Sequence, residues 1–202
     1  MRIRTLLFST VLAFTLICSA SCGGKSEATD DEVMVLETSY GRIVIEFLPK
    51  DAPRHTEHYK ALAKQGFYDG TRFHRLLKDK REPKAIQGGD PNTVSLDNST
   101  WGKDRDDLER VPAEFSKTLT HRRSAVSAAR KQNDENSATS QFFICADDVP
   151  EWDGVYSIFG RVIDGMKVVD LIARAPVFPN SDMPLDAVVI NKAYVIKRSE
   201  LK

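Results

Sequence analysis

The sequence predicts a mainly β fold in which the strands form a closed antiparallel barrel. Most apolar runs are short and alternate with polar residues, as Ile43, Ile45 and Phe47 do, which is the spacing of a strand with one buried face. Only two segments, after Pro53 and after Met166, have helical spacing. Because these helices do not alternate regularly with the strands, the pattern favours a closed antiparallel sheet over a parallel α/β fold.

The predicted elements follow one another along a single domain. Two strands joined by a turn at Tyr40-Gly41 open it, and the helix that begins at Pro53 ends at Gly66. A charged loop over 78–84 and a polar excursion over 91–110 separate later strands. The strands are predicted at 33–38, 42–48, 72–75, 85–87, 125–129, 140–145, 155–162 and 187–196, and the second helix at 166–173.

Length and charge limit the classes of function. The chain has 202 residues, which is enough for one domain with a substantial core. Lys plus Arg and Asp plus Glu both number 29, so the formal net charge is +0. This balance provides no overall field that would recruit nucleic acid or a membrane surface.

The first residues have the pattern of a secretory signal peptide. A basic start at Arg2 and Arg4 precedes an apolar run over 6–17, which is too short to span a membrane comfortably. Small residues then lead to Cys22 in a pattern that resembles the lipobox of bacterial lipoproteins, in which the cysteine becomes the lipid-carrying N-terminus. Ser19 stands where that motif prefers Leu, so ordinary cleavage near Ala20 is the alternative.

These features predict a protein of the bacterial cell envelope, anchored by lipid and facing the periplasm or the exterior. Cys18 would leave with the signal and Cys22 would be acylated, so no internal disulfide is possible in the mature chain. Cys145 is expected to be a buried small hydrophobe. The predicted boundaries are a signal peptide over 1–21, a lipidated N-terminus and flexible tether over 22–32, and a folded domain over 33–202.

Three short runs combine apolar residues with polar side chains, namely 72–75 (Arg-Phe-His-Arg), 87–90 (Gln-Gly-Gly-Asp) and 140–145 (Ser-Gln-Phe-Phe-Ile-Cys). Strand alternation would place Phe73 with Arg75 on one face, and Gln141 with Phe143 on one face. A cation, an amide and an aromatic ring on one side of a sheet suit a site that grips an apolar group beside a carbonyl group. Taken singly, Arg75 also fits a salt bridge at a strand edge, and Phe143 also fits plain core.

Neither a metal site nor a phosphate site is predicted. His55 and His58 lie three residues apart on the first helix, but no carboxylate or cysteine accompanies them at ligand spacing. Gly88 and Gly89 lack the Gly-Lys-Ser/Thr ending and the Gly-x-Gly-x-x-Gly spacing of nucleotide-binding loops. The two glycines instead indicate close backbone approach or a positive φ angle.

Seven blocks, in register over residues 33–197, resemble the signature of the cyclophilin family of peptidyl-prolyl isomerases. One such block would be unspecific, whereas seven in order are specific. The resemblance implies an eight-stranded barrel capped by two helices, so that the domain over 33–202 is expected to be cyclophilin-like. The blocks are Ala52-Pro53, 66–71 (Gly-Phe-Tyr-Asp-Gly-Thr), Phe73-His74-Arg75, 87–90 (Gln-Gly-Gly-Asp), 112–115 (Pro-Ala-Glu-Phe), 140–144 (Ser-Gln-Phe-Phe-Ile) and 159–162 (Phe-Gly-Arg-Val).

The resemblance also implies a role for each matching residue. Arg75 is similar to the family's catalytic arginine, and Gln87 is similar to the glutamine beside it. Four further positions match substrate-binding residues: Phe143 at the floor of the proline pocket, Ala129 and Gln141 in the groove for the residue before proline, and Tyr156 at the pocket rim.

Two segments depart from the family pattern. The interval between Arg75 and Gln87 is longer than usual, and counting back from Gln87 places Lys84 and Ala85 where larger side chains normally wall the pocket. Trp152 stands at a position where the family usually has a Leu that lines the pocket. We therefore expect Trp152 to refill the substrate-binding space that Ala85 leaves.

Two functions of different class follow from this resemblance. The first is an enzyme that accelerates rotation about X-Pro peptide bonds and assists the folding of cell-envelope proteins. The second is a module that binds proline segments or acts as a chaperone, with weak or no turnover because the pocket wall is altered. A hydrolase that uses His74 and Asp90 has no nucleophile-elbow motif to support it.

The expected partners are the same for both functions. They are Pro-containing segments of unfolded or folding proteins, with the membrane contacted through the lipid anchor only and with no nucleic acid. No cofactor and no metal are expected, and the protein is expected to be a monomer.

Overall fold

The computed structural model describes residues 31–80, 82–103, 105 and 107–202. The predicted signal peptide, Cys22 and most of the tether lie outside these residues, so the predicted boundaries and the lipidation stay predictions. The helices and strands are β1 Glu32–Thr38, β2 Gly41–Phe47, α1 Pro53–Lys64, β3 Arg75–Asp79, β4 Glu82–Gly88, β5 Ala125–Ala128, β6 Phe142–Cys145, β7 Ile158–Asp164, α2 Met166–Ala173 and β8 Ile190–Lys197.

The eight strands form one antiparallel sheet in the order β3-β4-β6-β5-β7-β2-β1-β8. The segments that precede the two outer strands meet: Arg72 forms a bridge with Val189, and the Phe73 N–H donates to the Val188 carbonyl at 2.9 Å. These contacts bring the outer edges together, so the sheet is a curled half-barrel. The predicted mainly β fold, with eight antiparallel strands and two helices, is confirmed.

Apolar side chains from the sheet and both helices fill the interior. The Tyr59 ring of α1 stacks on the Phe159 ring of β7 at a centroid distance of 4.0 Å, and the Phe142 ring of β6 meets Tyr59 edge-on at 6.3 Å. Burial of each such side chain contributes roughly 1.5–3 kcal/mol, so this cluster holds the strands in place. No helix in the described ranges has both the length and the apolarity that a membrane span requires.

A second, smaller cluster lies on the other face of β4, β5 and β6. It contains Phe143 and Cys145, with Trp152 and Tyr156 packed against it. Cys145 is a free and buried cysteine, as predicted, and burial raises the pKa of its thiol. Phe142 packs in the main core and Phe143 in the second cluster, on the other face of the sheet. This confirms the alternation predicted for this strand.

The alternation predicted for residues 72–75 is wrong. Residues 72–74 are not part of a regular strand, so successive side chains there need not point to opposite faces. Phe73 is fully buried in the main core, with its ring 6.0 Å from that of Phe142. Arg75, the first residue of β3, is instead exposed, so the two side chains do not share a face.

The predicted charged loop over 78–84 is also wrong, because this segment is the end of a hairpin. β3 and β4 pair Lys78 with Pro83 and Asp79 with Glu82, beyond a bulge after Leu77. β4 pairs with its other neighbour, β6, only from Ala85 onward, so Pro83 removes no hydrogen bond from that ladder.

The two glycines after Gln87 fit the predicted close approach and positive φ. A Cβ atom on Gly88 would lie 2.9 Å from Cδ1 of Phe73. Gly89 has a φ of +81°, and a Cβ atom there would lie 2.6 Å from the Ser140 carbonyl oxygen. The chain can therefore pass between these groups only without side chains.

We expect Gly89→Ala to destabilise the protein more than Gly70→Ala does. Gly70 has a φ of +78° but nothing within 4 Å of an added Cβ, so its substitution should cost only the left-handed strain, about 1–2 kcal/mol. Gly89→Ala should cost roughly 1–3 kcal/mol more, because backbone must also shift. Urea titration of both variants measures this difference, and equal losses would contradict the close approach at Gly89.

Candidate active site

A cavity of about 280 Å³ lies on the face of the sheet opposite the main core. The strand register explains why the predicted residues meet there. Arg75 of β3 pairs with Gln87 of β4, and Gln87 pairs with Phe143 of β6, so the three form one row across three neighbouring strands. The predicted residues that line the cavity are Arg75, Gln87, Ala129, Gln141, Phe143, Trp152 and Tyr156.

Aromatic rings form the apolar part of the cavity. Phe143 is 4% exposed, and the rings of Trp152 and Tyr156 each stand nearly perpendicular to it at a centroid distance of 5.1 Å. The His121 ring stacks on Phe143 at 6.0 Å. Packing on several sides holds the Phe143 ring in one orientation, which gives the cavity a rigid floor.

Ala85 is the predicted substrate-binding residue that the structure does not bring to the cavity surface. It is fully buried in the cluster that contains Phe143. Its partner across the hairpin, Leu77, lines the cavity instead. Lys84 does not fill the space either, because its Nζ donates to Oδ2 of Asp147 at 3.1 Å. Leu77 and Trp152 therefore supply the wall.

Hydrogen bonds fix the polar side of the cavity. Nε2 of Gln87 donates to Oε1 of Gln141 at 2.9 Å, and the Tyr59 hydroxyl donates to the Gln141 carbonyl at 2.8 Å. Nε of Arg75 donates to Oδ2 of Asp182 at 2.9 Å. The two glutamines thus place amide groups beside the guanidinium, above the aromatic floor.

A further cation holds the rim. The Arg130 guanidinium lies over the Tyr156 ring, with Cζ 5.1 Å from the centroid. It also donates from Nε to the Val155 carbonyl at 2.9 Å, and from Nη1 to the Lys131 carbonyl at 2.7 Å. Its role is thereby to brace Tyr156 against the loop before it.

The two histidines of α1, His55 and His58, take part in structural contacts. Nδ1 of His55 lies 2.7 Å from Oε2 of Glu114, and Nε2 of His58 lies 2.8 Å from the Thr139 carbonyl oxygen. No group of three or more His, Cys, Asp or Glu side chains in the described part of the chain could hold a metal ion.

The buried His121 and the half-buried Asp153 form a pair that supports the ring of Phe143 in the cavity floor. Oδ1 of Asp153 accepts from the His121 backbone N–H at 2.7 Å and lies 2.8 Å from Nδ1 of the same residue. Burial lowers the pKa of His121, although the nearby carboxylate opposes this shift. Burial raises the pKa of Asp153, but the hydrogen bonds from His121 outweigh it and the net pKa is lowered.

We expect the free energy of unfolding to fall as the pH drops from 7 to 5. Burial also lowers the pKa values of His55 and His74, so the unfolded chain takes up protons near pH 6.5, before the native state does. Each such histidine contributes at most about 1.4 kcal/mol per pH unit in this window. His121→Asn should reduce the slope measured by urea titration, and stability that rises on acidification would contradict the account.

The model for the family described as cyclophilin type peptidyl-prolyl cis-trans isomerase/CLD matches residues 33–195. The chain belongs to this family. This cyclophilin is 37% identical over 164 residues to the peptidyl-prolyl cis-trans isomerase cypE of Dictyostelium discoideum, with 81% of this chain and 97% of that protein covered. It is 35% identical over 169 residues to a probable peptidyl-prolyl cis-trans isomerase of Brucella abortus, with 80% and 82% covered.

A solved structure supports the same family. The crystal structure of a cyclophilin type peptidyl-prolyl cis-trans isomerase of Cryptosporidium parvum, in the presence of the dipeptide Ala-Pro, matches with a TM-score of 0.70 and 28% identity. The match covers 82% of this cyclophilin and 99% of that chain. Both the relatives and this structure carry the name of an enzyme class.

Sequence reasoning missed several residues around the cavity of this cyclophilin. They come from loops or from the hairpin, where no apolar alternation marks which side chains face a cavity. Asp182 in particular lies 107 residues after Arg75, with no motif that links the two. The missed residues are Leu77, Gly102, Arg130, Lys131, Ser137 and Thr139 in the lining, and Asp182 beside it.

Proposed function

We propose that this cyclophilin catalyses rotation about X-Pro peptide bonds in the cavity beside Phe143, with Arg75 as the group that lowers the barrier. The observation that carries the proposal is the row of Arg75, Gln87 and Phe143 across three adjacent strands, facing one cavity. This row sets a permanent positive charge and amide groups beside an apolar ring surface.

The chemistry of the reaction explains why these groups are needed. Amide resonance gives rotation a barrier of about 18–20 kcal/mol, so uncatalysed X-Pro bonds exchange over tens to hundreds of seconds. When the bond is twisted, resonance is lost and the prolyl nitrogen regains a lone pair. A guanidinium aimed at that nitrogen binds the twisted state and has little to bind in the planar state, so it lowers the barrier.

Each remaining residue has a role in holding the peptide. Phe143 supports the prolyl ring while Trp152 and Tyr156 enclose it. Ala129 and Gln141 border the groove for the residue before proline, and Gln87 keeps Gln141 in place through their hydrogen bond. None of these steps requires a proton transfer or a nucleophile.

A protease-coupled assay with a peptide that contains an Ala-Pro bond tests this function. We expect the cis-to-trans rate to rise in proportion to the protein concentration, well above the uncatalysed exchange. The altered wall, with Ala85 buried and Leu77 at the surface, favours a second candidate, a binding module with little turnover. Peptide binding by calorimetry without any rate acceleration would support that module and would exclude the enzyme.

We further propose that the protein is a monomeric lipoprotein of the bacterial cell envelope that assists folding there. The proposal is supported by the basic start, the apolar run over 6–17 and the small residues before Cys22. Mass spectrometry of the mature protein tests it. We expect an acylated N-terminus at Cys22 that is lost in Cys22→Ala, whereas an unmodified N-terminus near residue 21 would contradict the anchor.

A further inference from the structure

The Arg75 side chain has one hydrogen-bonding partner in the described ranges, Asp182. Nε of Arg75 donates to Oδ2 of Asp182 at 2.9 Å, while Arg75 also lines the cavity. No described residue accepts a hydrogen bond from the two terminal amino groups of Arg75. The bond to Asp182 therefore uses the inner nitrogen of the guanidinium and leaves the outer ones for a bound peptide.

The backbone places Asp182 beside β3 independently of its carboxylate. The Leu76 N–H donates to the Asp182 carbonyl at 2.7 Å, and Leu76 is fully buried in the main core. A second tie runs from Nζ of Lys78 to the Ala175 carbonyl at 3.1 Å. The segment that contains Asp182 is thus attached to β3 at two points.

The same segment, residues 175–185, folds back on itself. The Phe178 N–H donates to the Met183 carbonyl at 3.0 Å, and the Leu185 N–H donates to the Pro176 carbonyl at 2.8 Å. Asn180 takes a φ of +58° at the turn between them. Because main-chain bonds define this shape, changing the Asp182 side chain should leave the segment folded.

We propose that Asp182 is a positioning residue for the isomerisation, which holds Nε of Arg75 so that the terminal amino groups stay directed at the cavity. This inference rests on the proposed function. An arginine side chain loses much rotamer freedom when its head is fixed. A carboxylate that anchors the inner nitrogen in advance removes part of that loss from the catalytic step.

Steady-state kinetics on an Ala-Pro peptide test the role of Asp182. We expect Asp182→Ala to lower kcat by about threefold to fivefold with KM changed by less than about twofold, the modest size being typical of an exposed ion pair. Asp182→Asn should stay within about twofold of the wild type, because its amide oxygen can accept the same bond. Asp186→Ala, which removes an exposed carboxylate nearby, should not change kcat.

Nitrogen-15 NMR of the Arg75 Nε–H group, assigned with Arg75→Lys, gives a second readout that does not depend on activity. The proton should exchange slowly with water in the wild type and Asp182→Asn, and quickly in Asp182→Ala. An unchanged kcat in Asp182→Ala, a rise of kcat in both Asp182 variants, or fast exchange in the wild type would overturn the inference. A wild-type protein without activity would instead overturn the proposed function. The exchange rate of the Arg75 Nε proton would still show whether Asp182 holds Arg75.

Discussion

Arg75→Ala is expected to reduce kcat/KM for an Ala-Pro peptide by about 10²-fold. Removal of an electrostatic donor to a transition state costs roughly 10²- to 10³-fold, and the lower end applies here because the Arg75 side chain is 49% exposed to solvent. The loss should fall on kcat more than on KM, since the planar amide offers the guanidinium little to bind. A protease-coupled assay measures both constants.

Arg161→Ala is the matched control for this prediction. Arg161 also donates from Nε to a carboxylate, at 2.8 Å to Glu46, and its side chain is 61% exposed, but it does not line the cavity. Both variants should lose little stability, because both guanidinium groups are exposed and Glu46 keeps its ion pair with Arg198 in Arg161→Ala. Equal rates in Arg75→Ala and the wild type would remove Arg75 from the mechanism.

Phe143→Ala is expected to lower the free energy of unfolding by about 3–5 kcal/mol and to raise KM for the same peptide. The ring is 4% exposed and contacts Trp152, Tyr156 and His121, so its removal leaves a hole at the floor of the cavity. Urea titration gives the change in stability, and kinetics at a temperature where the variant stays folded give KM.

Phe142→Leu and Phe143→Leu separate binding from stability. The two residues are neighbours on β6, but Phe142 faces the main core while Phe143 faces the cavity. Each change removes an aromatic ring but keeps a branched apolar side chain, so it should cost less stability than Phe143→Ala does. Only Phe143→Leu should raise KM, and the same KM for both variants would exclude Phe143 as the floor of the proline site.

The parts of the fold that the sequence predicts well are those with a strong apolar period. The strands around Ile43 and Phe143 alternate clearly, so their faces follow from spacing alone. The hairpin formed by β3 and β4 extends beyond the core. The strands there pair through charged residues, which show no apolar alternation in the sequence. The predicted face of Phe73 is wrong because residues 72–74 lie before β3 and outside any regular strand.

The site could be predicted where a side chain sits in a recognisable block. Arg75, Gln87 and Phe143 belong to such blocks, and the register places them in one row. Leu77 shares the face of Arg75 because the bulge comes only after it, but it lies beyond the strand that the sequence predicts over 72–75 and was therefore missed. Asp182 could not be predicted because it is far from Arg75 in the sequence, and only the folded chain brings the two side chains together.

Exchange NMR of a proline peptide at saturating protein tests most directly whether Arg75 favours the twisted amide over the planar one. The experiment gives the isomerisation rate on the protein and the Kd of the peptide from the same samples. For Arg75→Ala, the account predicts a rate about 10²-fold lower with Kd changed by less than about threefold. An unchanged rate on the protein, or a loss explained wholly by weaker binding, would contradict it.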